Sequence, residues 1–160
     1  MNDIGKEYID DLTGLYNRRF LNIKAREYLR INGRADSFTS ILLIDLDHFK
    51  NINDTYGHSM GDSVLQEFSS FLKELVRGND SVFRYGGDEF VCILPETAYE
   101  HAESISYRFI EQCRLTEFSR VRVTMSIGIA SFPHDGKQWK ELFDIADQRL
   151  YLSLIHISEP

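Results

Sequence analysis

The sequence is poor in cysteine, in positive charge and in long apolar runs, and each shortage removes a class of protein. Its only cysteines, Cys92 and Cys113, fit no metal-ligand spacing and make no disulfide framework. Cys92 lies in an apolar run, where a free thiol behaves as a small buried hydrophobe. Lysine and arginine number 18 against 25 aspartates and glutamates, a formal net charge of -7. A field of that sign opposes general nucleic-acid binding. It leaves room for a nucleotide, because a bound Mg²⁺ reverses the sign locally. No stretch is long and apolar enough to span a bilayer, and none at the start reads as a signal peptide. No repeat or low-complexity tract appears. A chain of 160 residues with 42% hydrophobic and 27% charged residues is expected to form one domain with a sizeable core. A cytosolic setting is expected, with a membrane-anchored or sensor-linked parent protein left open.

Against this ordinary background stands Arg84-Tyr85-Gly86-Gly87-Asp88-Glu89-Phe90. Val82-Phe83 precede it and Phe90-Val91-Cys92-Ile93-Leu94 follow, and apolar runs around a Gly-Gly pair read as a β-hairpin. Two adjacent acids at a hairpin tip suit a cation, and glycine lets a ligand approach the backbone. The other reading is a pair of solvated turn charges.

Elsewhere the periodicity predicts a helix over 18–31, and a strand over 38–46 whose run Ile41-Leu42-Leu43-Ile44 is buried on both faces. A short helix and loop over 48–56 and a turn at 57–61 are expected next, then a helix over 62–76, with Asp62 as its possible cap. After the hairpin come a helix over 97–113, one long strand or two meeting at a bend over 121–130, and a helix over 136–151. Helices covering a mostly antiparallel sheet give an α+β sandwich of ferredoxin-like topology.

Asp45 and Asp47 end the buried strand. If that strand neighbours the hairpin, Asp45 and Asp88 meet at one edge of the sheet. Hard oxygen ligands of this kind suit Mg²⁺, and two such ions can clamp the attacking and leaving oxygens of nucleotidyl transfer. The polar segment from Asp45 to Asp62 then offers Lys50 to phosphate, and Asn53 and Asp62 to a purine edge.

Four motifs in this order make the chain similar to a GGDEF domain, the catalytic domain of diguanylate cyclases. They are Asp10-x-Leu12-Thr13-Gly14-Leu15-x-Asn17-Arg18-Arg19, the Asp45–Asp62 segment, the Gly-Gly-Asp-Glu-Phe run and Ser126-Ile127-Gly128, with Ala146-Asp147-x-x-Leu150-Tyr151 fitting the last helix. The resemblance covers residues 8–151. It implies condensation of two GTP to cyclic di-GMP and pyrophosphate on a homodimer, the 3′-hydroxyl of each attacking the α-phosphate of the other. It also implies two Mg²⁺ per site (Mn²⁺ as a substitute) on Asp45, Asp88 and the Leu46 carbonyl. Asp88 stands where the family's general base is proposed, with Glu89 beside it and Lys50 facing phosphate. Asn53, His58, Asp62, Gly86 and Gly87 fall at GTP-contacting positions. An acid at Asp62 favours guanine, whose N1–H donates where adenine N1 accepts. Arg77 and Asp80 match the RxxD pattern of a site where cyclic di-GMP inhibits, and Arg108 matches a further arginine of it. A non-catalytic cyclic di-GMP receptor using the RxxD site, an inactive truncated fragment, and a class III-like cyclase or palm-type polymerase are the rival readings.

The tail departs from the family. Leu154 and Ser158 stand where a phosphate-contacting lysine and arginine are expected, and Leu152-Ser153-Leu154-Ile155-His156-Ile157-Ser158-Glu159-Pro160 resembles a translated sequencing adapter. A non-native tail over 152–160, an exposed strand edge and low stability are the expectations.

Overall fold

The computed structural model describes residues 5–31 and 37–158. A 3-10 turn (Lys6–Tyr8) leads to α1 (Arg18–Ile31), β1 (Thr39–Leu46), α2 (Phe49–Tyr56), α3 (His58–Leu75), β2 (Ser81–Arg84), β3 (Glu89–Pro95) and α4 (Tyr99–Arg114). The short β4 (Glu117–Phe118) and β5 (Val121–Arg122), then β6 (Met125–Phe132) and α5 (Trp139–Ser158), complete it. The main sheet runs β2-β3-β1-β6 with every pairing antiparallel. This is the ferredoxin-like order expected from the alternation of elements.

β1 is central, and its alternation sorts the core into two layers. Leu42, Ile44 and Leu46 pack with Val64, Leu65, Phe68 and Leu72 of α3 and Ala102, Ile105 and Phe109 of α4. Ile41 and Leu43 pack with Phe20, Leu21 and Ala25 of α1 and Leu142, Ala146 and Leu150 of α5. An apolar run without polar alternation is therefore what a strand covered on both faces requires. Cys92 and Cys113 are free and buried in the α3/α4 layer, and burial pushes both thiols up, Cys113 to about 12.

Several boundaries differ from expectation. The turn at 57–61 shrinks to Gly57, which at φ +90° breaks the chain between α2 and α3. Asp62 is thus inside α3 and does not cap it. α4 starts after Ala98 rather than at Thr97, because the buried Thr97 hydroxyl bonds to Arg77 and to the Pro95 carbonyl. The segment after 120 takes the bent alternative, β5 then β6. α5 starts at Trp139 and runs to Ser158. The expectations for the side chains of Leu154 and Ser158, and for Glu159 and Pro160, lie outside the described residues.

β6 is an edge strand, and side chains occupy the Ile129 carbonyl and the Ser131 amide on it. Arg149 Nη1 donates to the Ile129 carbonyl, and the Ser131 amide donates to Asp135, which is itself paired with Arg149 at 2.8 Å. Side chains on backbone groups in this way blunt an edge against strand addition. Against the α5 face, Gly128 explains the Ser-Ile-Gly motif: a Cβ there would strike the Ala146 carbonyl and the Leu150 amide of α5. Helix backbone cannot yield as a side chain can. Gly128→Val is expected to cost about 2 kcal/mol, read as a lowered midpoint of thermal unfolding with the far-ultraviolet dichroism of the folded state retained.

Candidate active site

The site forms where β1, the β2–β3 turn and the start of β6 meet at one end of the sheet. In the β1–β3 register Asp45 lies opposite Glu89, and the Leu46 amide donates to the Asp88 carbonyl at 3.1 Å. Asp45 follows Ile41 and Leu43, and Glu89 precedes Val91 and Ile93, so both acids sit on the α1/α5 face of the sheet. The hairpin thus brings Asp45, Asp88 and Glu89 together, as expected if its strand neighbours β1.

The electrostatics of this cluster are unfavourable as it stands. Burial, then the charges of Asp88, Glu89 and Asp47, then a hydrogen bond with Asp88, push the Asp45 carboxyl up to about 7. Glu89 is also raised, by burial and by Asp88 and Asp147, with Arg18 opposing. Asp45 Oδ1 is buried with no hydrogen-bond partner. An orphaned carboxylate oxygen among like charges is what a cation would satisfy. Among the described residues no group of three or more His, Cys, Asp and Glu is set to hold a metal by itself. Mg²⁺ does not need one, since it binds through one or two carboxylates plus water and substrate phosphates. The donor set therefore fits that ion.

Asp47 belongs to a different arrangement. Its oxygens accept from Thr124 Oγ1 at 2.6 Å and Ser126 Oγ at 2.8 Å, and its amide donates to the Thr124 carbonyl. These bonds fasten the end of β1 to the start of β6.

The turn itself is held by a residue that sequence reasoning quoted without assigning a role. Arg84 donates through Nε to the Gly86 carbonyl (3.2 Å) and through Nη2 to the Gly87 carbonyl (2.9 Å). Its Nη1 pairs with Asp10 at 3.1 Å. Burial raises Asp10, but bonds from Thr13 and Arg84 outweigh it and hold the carboxyl below its usual range. So the Asp-x-Leu-Thr segment braces the turn from 74 residues away in sequence, and nothing in either motif alone announces that pairing. Neither Gly86 nor Gly87 has positive φ. A Cβ at Gly86 would meet the Glu89 carboxylate and displace it, whereas the space above Gly87 is open.

The remaining expected contacts lie on α2 and α3. Lys50 is exposed in the first turn of α2. The Asn53 side chain presses against Gly61, where any Cβ would collide with its amide oxygen. His58 and Asp62, four apart on α3, share one exposed face. Away from the turn, Arg77 grips Asp80 through its amide, Nε (3.2 Å) and Nη2 (3.1 Å), and Arg108 Nη2 donates to the Leu75 carbonyl at 3.3 Å. Arg77, Asp80 and Arg108 therefore border the same end of α3.

Residues 7–154 match the family model described as diguanylate cyclase, GGDEF domain. The chain belongs to the GGDEF family. It is 40% identical over 151 residues to the diguanylate cyclase DosC of Escherichia coli, and 38% identical over 148 residues to the response regulator PleD of Caulobacter vibrioides. Those matches take in 91% and 89% of this chain but 32% and 33% of the relatives, so the chain spans about a third of their length. Among solved structures, a sensory box/GGDEF family protein from Caulobacter crescentus superposes with TM-score 0.85 at 30% identity, over 93% of this chain and 99% of that one. The diguanylate cyclase SiaD of Pseudomonas aeruginosa gives 0.84 at 31%, over 92% and 58%. GGDEF diguanylate cyclases generally depend on a divalent metal, and no helix of the described residues is long and apolar enough to cross a membrane.

The raised Asp45 has a stability consequence. Its folded value, about 7, lies above the unfolded value near 3.8, so the folded state holds the extra proton between those pH values. Metal-free stability then falls as pH rises from about 4 through 7. Asp45→Asn is expected to raise the melting temperature in chelator at pH 8, with the gain shrinking toward pH 4; a gain independent of pH would count against the crowded-carboxylate account.

Proposed function

We propose that this domain condenses two molecules of GTP to cyclic di-GMP and pyrophosphate. The observation that carries the reading is the abutting pair Asp45 and Asp88, with its orphaned oxygen, beneath a turn left open at Gly87. Asp45, Asp88 and the Leu46 carbonyl would hold two Mg²⁺ ions, which supply charge neutralisation at the triphosphate and at the attacking oxygen. The turn lies against the phosphates, and Gly86 keeps the Glu89 carboxylate in place there. Asp88 accepts the proton of the 3′-hydroxyl as its oxygen bonds to the α-phosphorus of the facing nucleotide. The bond from that phosphorus to the β-phosphate bridging oxygen breaks, and pyrophosphate departs. Glu89 is the second acid of the turn. Lys50 meets phosphate charge from the start of α2.

Asn53, His58 and Asp62 form the base pocket. The Asp62 carboxylate accepts from guanine N1–H and the exocyclic amine; against adenine it would face the N1 lone pair. Because each product needs two nucleotides in opposed sites, the reaction requires a homodimer. A cytosolic setting, where GTP and Mg²⁺ are at hand, goes with this reading.

Arg77, Asp80 and Arg108 form a second site for cyclic di-GMP, where an arginine fork takes phosphate and the carboxylate takes a guanine edge. In the structure as it stands Arg77 and Asp80 satisfy each other, so binding there must exchange that pair for ligand contacts.

Incubation with GTP and Mg²⁺, followed by chromatography, tests the assignment. Cyclic di-GMP and pyrophosphate are expected, with Asp88→Ala lowering the rate by at least about a hundredfold, the scale of losing one general base. Wild-type silence, or Asp88→Ala as active as wild type, would overturn it. Added cyclic di-GMP is expected to inhibit, and Arg77→Ala to relieve that inhibition. A chain that binds cyclic di-GMP but never forms it would instead be a receptor.

A further inference from the structure

We infer that Arg18 is an additional contact for the polyphosphate of the nucleotide at the Gly-Gly turn; this rests on the GTP site proposed above. Arg18 opens α1, immediately after Asn17, whose side-chain oxygen caps the helix by accepting from the Phe20 amide at 3.1 Å. That cap fixes where the arginine leaves the backbone. Its guanidinium carbon stands 4.3 Å from the centroid of the Tyr85 ring. Tyr85 in turn packs on Phe143 of α5 with centroids 4.7 Å apart, and Phe143 on Trp139 at 5.7 Å. The result is a stack from α5 to the turn, with Arg18 on its last face.

Two arginines border the turn, and they are differently employed. Arg84 is committed to two carbonyls and to Asp10. The Arg18 side chain makes no hydrogen bond or ion pair among the described residues, so its fork of N–H donors is free while its guanidinium rests over the ring. A stacked guanidinium is pre-organised for a bidentate phosphate contact and loses little side-chain freedom on making one. Arg18, Arg84, Gly86 and Gly87 line an open cavity of about 250 Å³ beside the turn. Its charge reaches Glu89. Around it Asp45, Asp88, Glu89 and Asp147 crowd acids into the place where a polyanion would have to lie. A free cation on a rigid shelf at that edge offsets part of the repulsion.

The contact is read by binding, separately from turnover. Titration with a non-hydrolysable GTP analogue in Mg²⁺ is expected to show Arg18→Ala weakening affinity at least tenfold, Arg18→Lys recovering part of it, and guanosine binding unchanged within twofold. The slope of log affinity against log salt should be shallower in Arg18→Ala than in wild type. Tyr85→Leu, which removes the shelf, should weaken the analogue in the same direction, while Tyr85→Phe should not. Unfolding midpoints within a few degrees of wild type show that each variant folds. If Arg18→Ala binds the analogue like wild type, or loses guanosine equally, the contact does not exist. A wild-type chain that makes cyclic di-GMP under that result leaves the GTP site standing and removes Arg18 alone; a wild-type chain that binds no analogue removes both.

Discussion

The antiparallel pairing of β1 with β3 brings together charges that would otherwise stay apart. Its register sets Asp45 opposite Glu89 and ties the Leu46 amide to the Asp88 carbonyl. A slip of one residue would turn Asp45 to the α3/α4 layer, where apolar side chains wait. Such a slip would also exchange Leu42 and Ile44 with Ile41 and Leu43 between the two packed layers. The core therefore enforces the register, and the register enforces the crowding. Hydrophobic burial along the whole strand outweighs the repulsion at its end.

The cluster also needs a turn that does not collapse onto it. Arg84 supplies this by taking the two glycine carbonyls, and Asp10 fixes Arg84 from the segment before α1. Asp10 is itself fixed by Thr13. The chain before the first helix is thus part of the site's frame, although it contributes none of the groups assigned to chemistry. Asp47 plays the corresponding part on the other side, where Thr124 and Ser126 hold the β1 end against β6. The acids at the centre are mutually repelling; the acids at the margins are paired with donors. Identity of residue type conceals that difference, and only the partners reveal it.

This is also why the sequence disclosed some parts and hid others. The continuous apolar run of β1, the stripes of α1 and α3 and the hairpin flanks follow from local periodicity, so the sheet and its helices were legible. The carboxylate pairing of Asp45 with the turn was legible once β1 and β3 were taken as neighbours. Asp62 was misplaced as a possible cap because its side chain resembles one, while the break actually comes from Gly57 at φ +90°. Thr97 looked like a helix start and instead spends its hydroxyl on Arg77. Arg84–Asp10, Asp47–Thr124 and Arg18–Tyr85–Phe143 join residues far apart in the chain, and no window of sequence contains both ends.

Glycine distribution carries the same logic further. Gly61, Gly86 and Gly128 sit in ordinary backbone conformations, and a Cβ at each would meet another group: the Asn53 amide, the Glu89 carboxylate and the α5 backbone respectively. Two of those three partners are assigned to the nucleotide site. A larger residue at 61 or 86 would act first on the placement of Asn53 or Glu89, with the flexible side chain moving aside at small cost to the fold. At 128 the obstacle is helix backbone, and the cost falls on stability. Three glycines of one apparent kind thus divide into two that shape the site and one that seats α5, and the division follows from what each would touch.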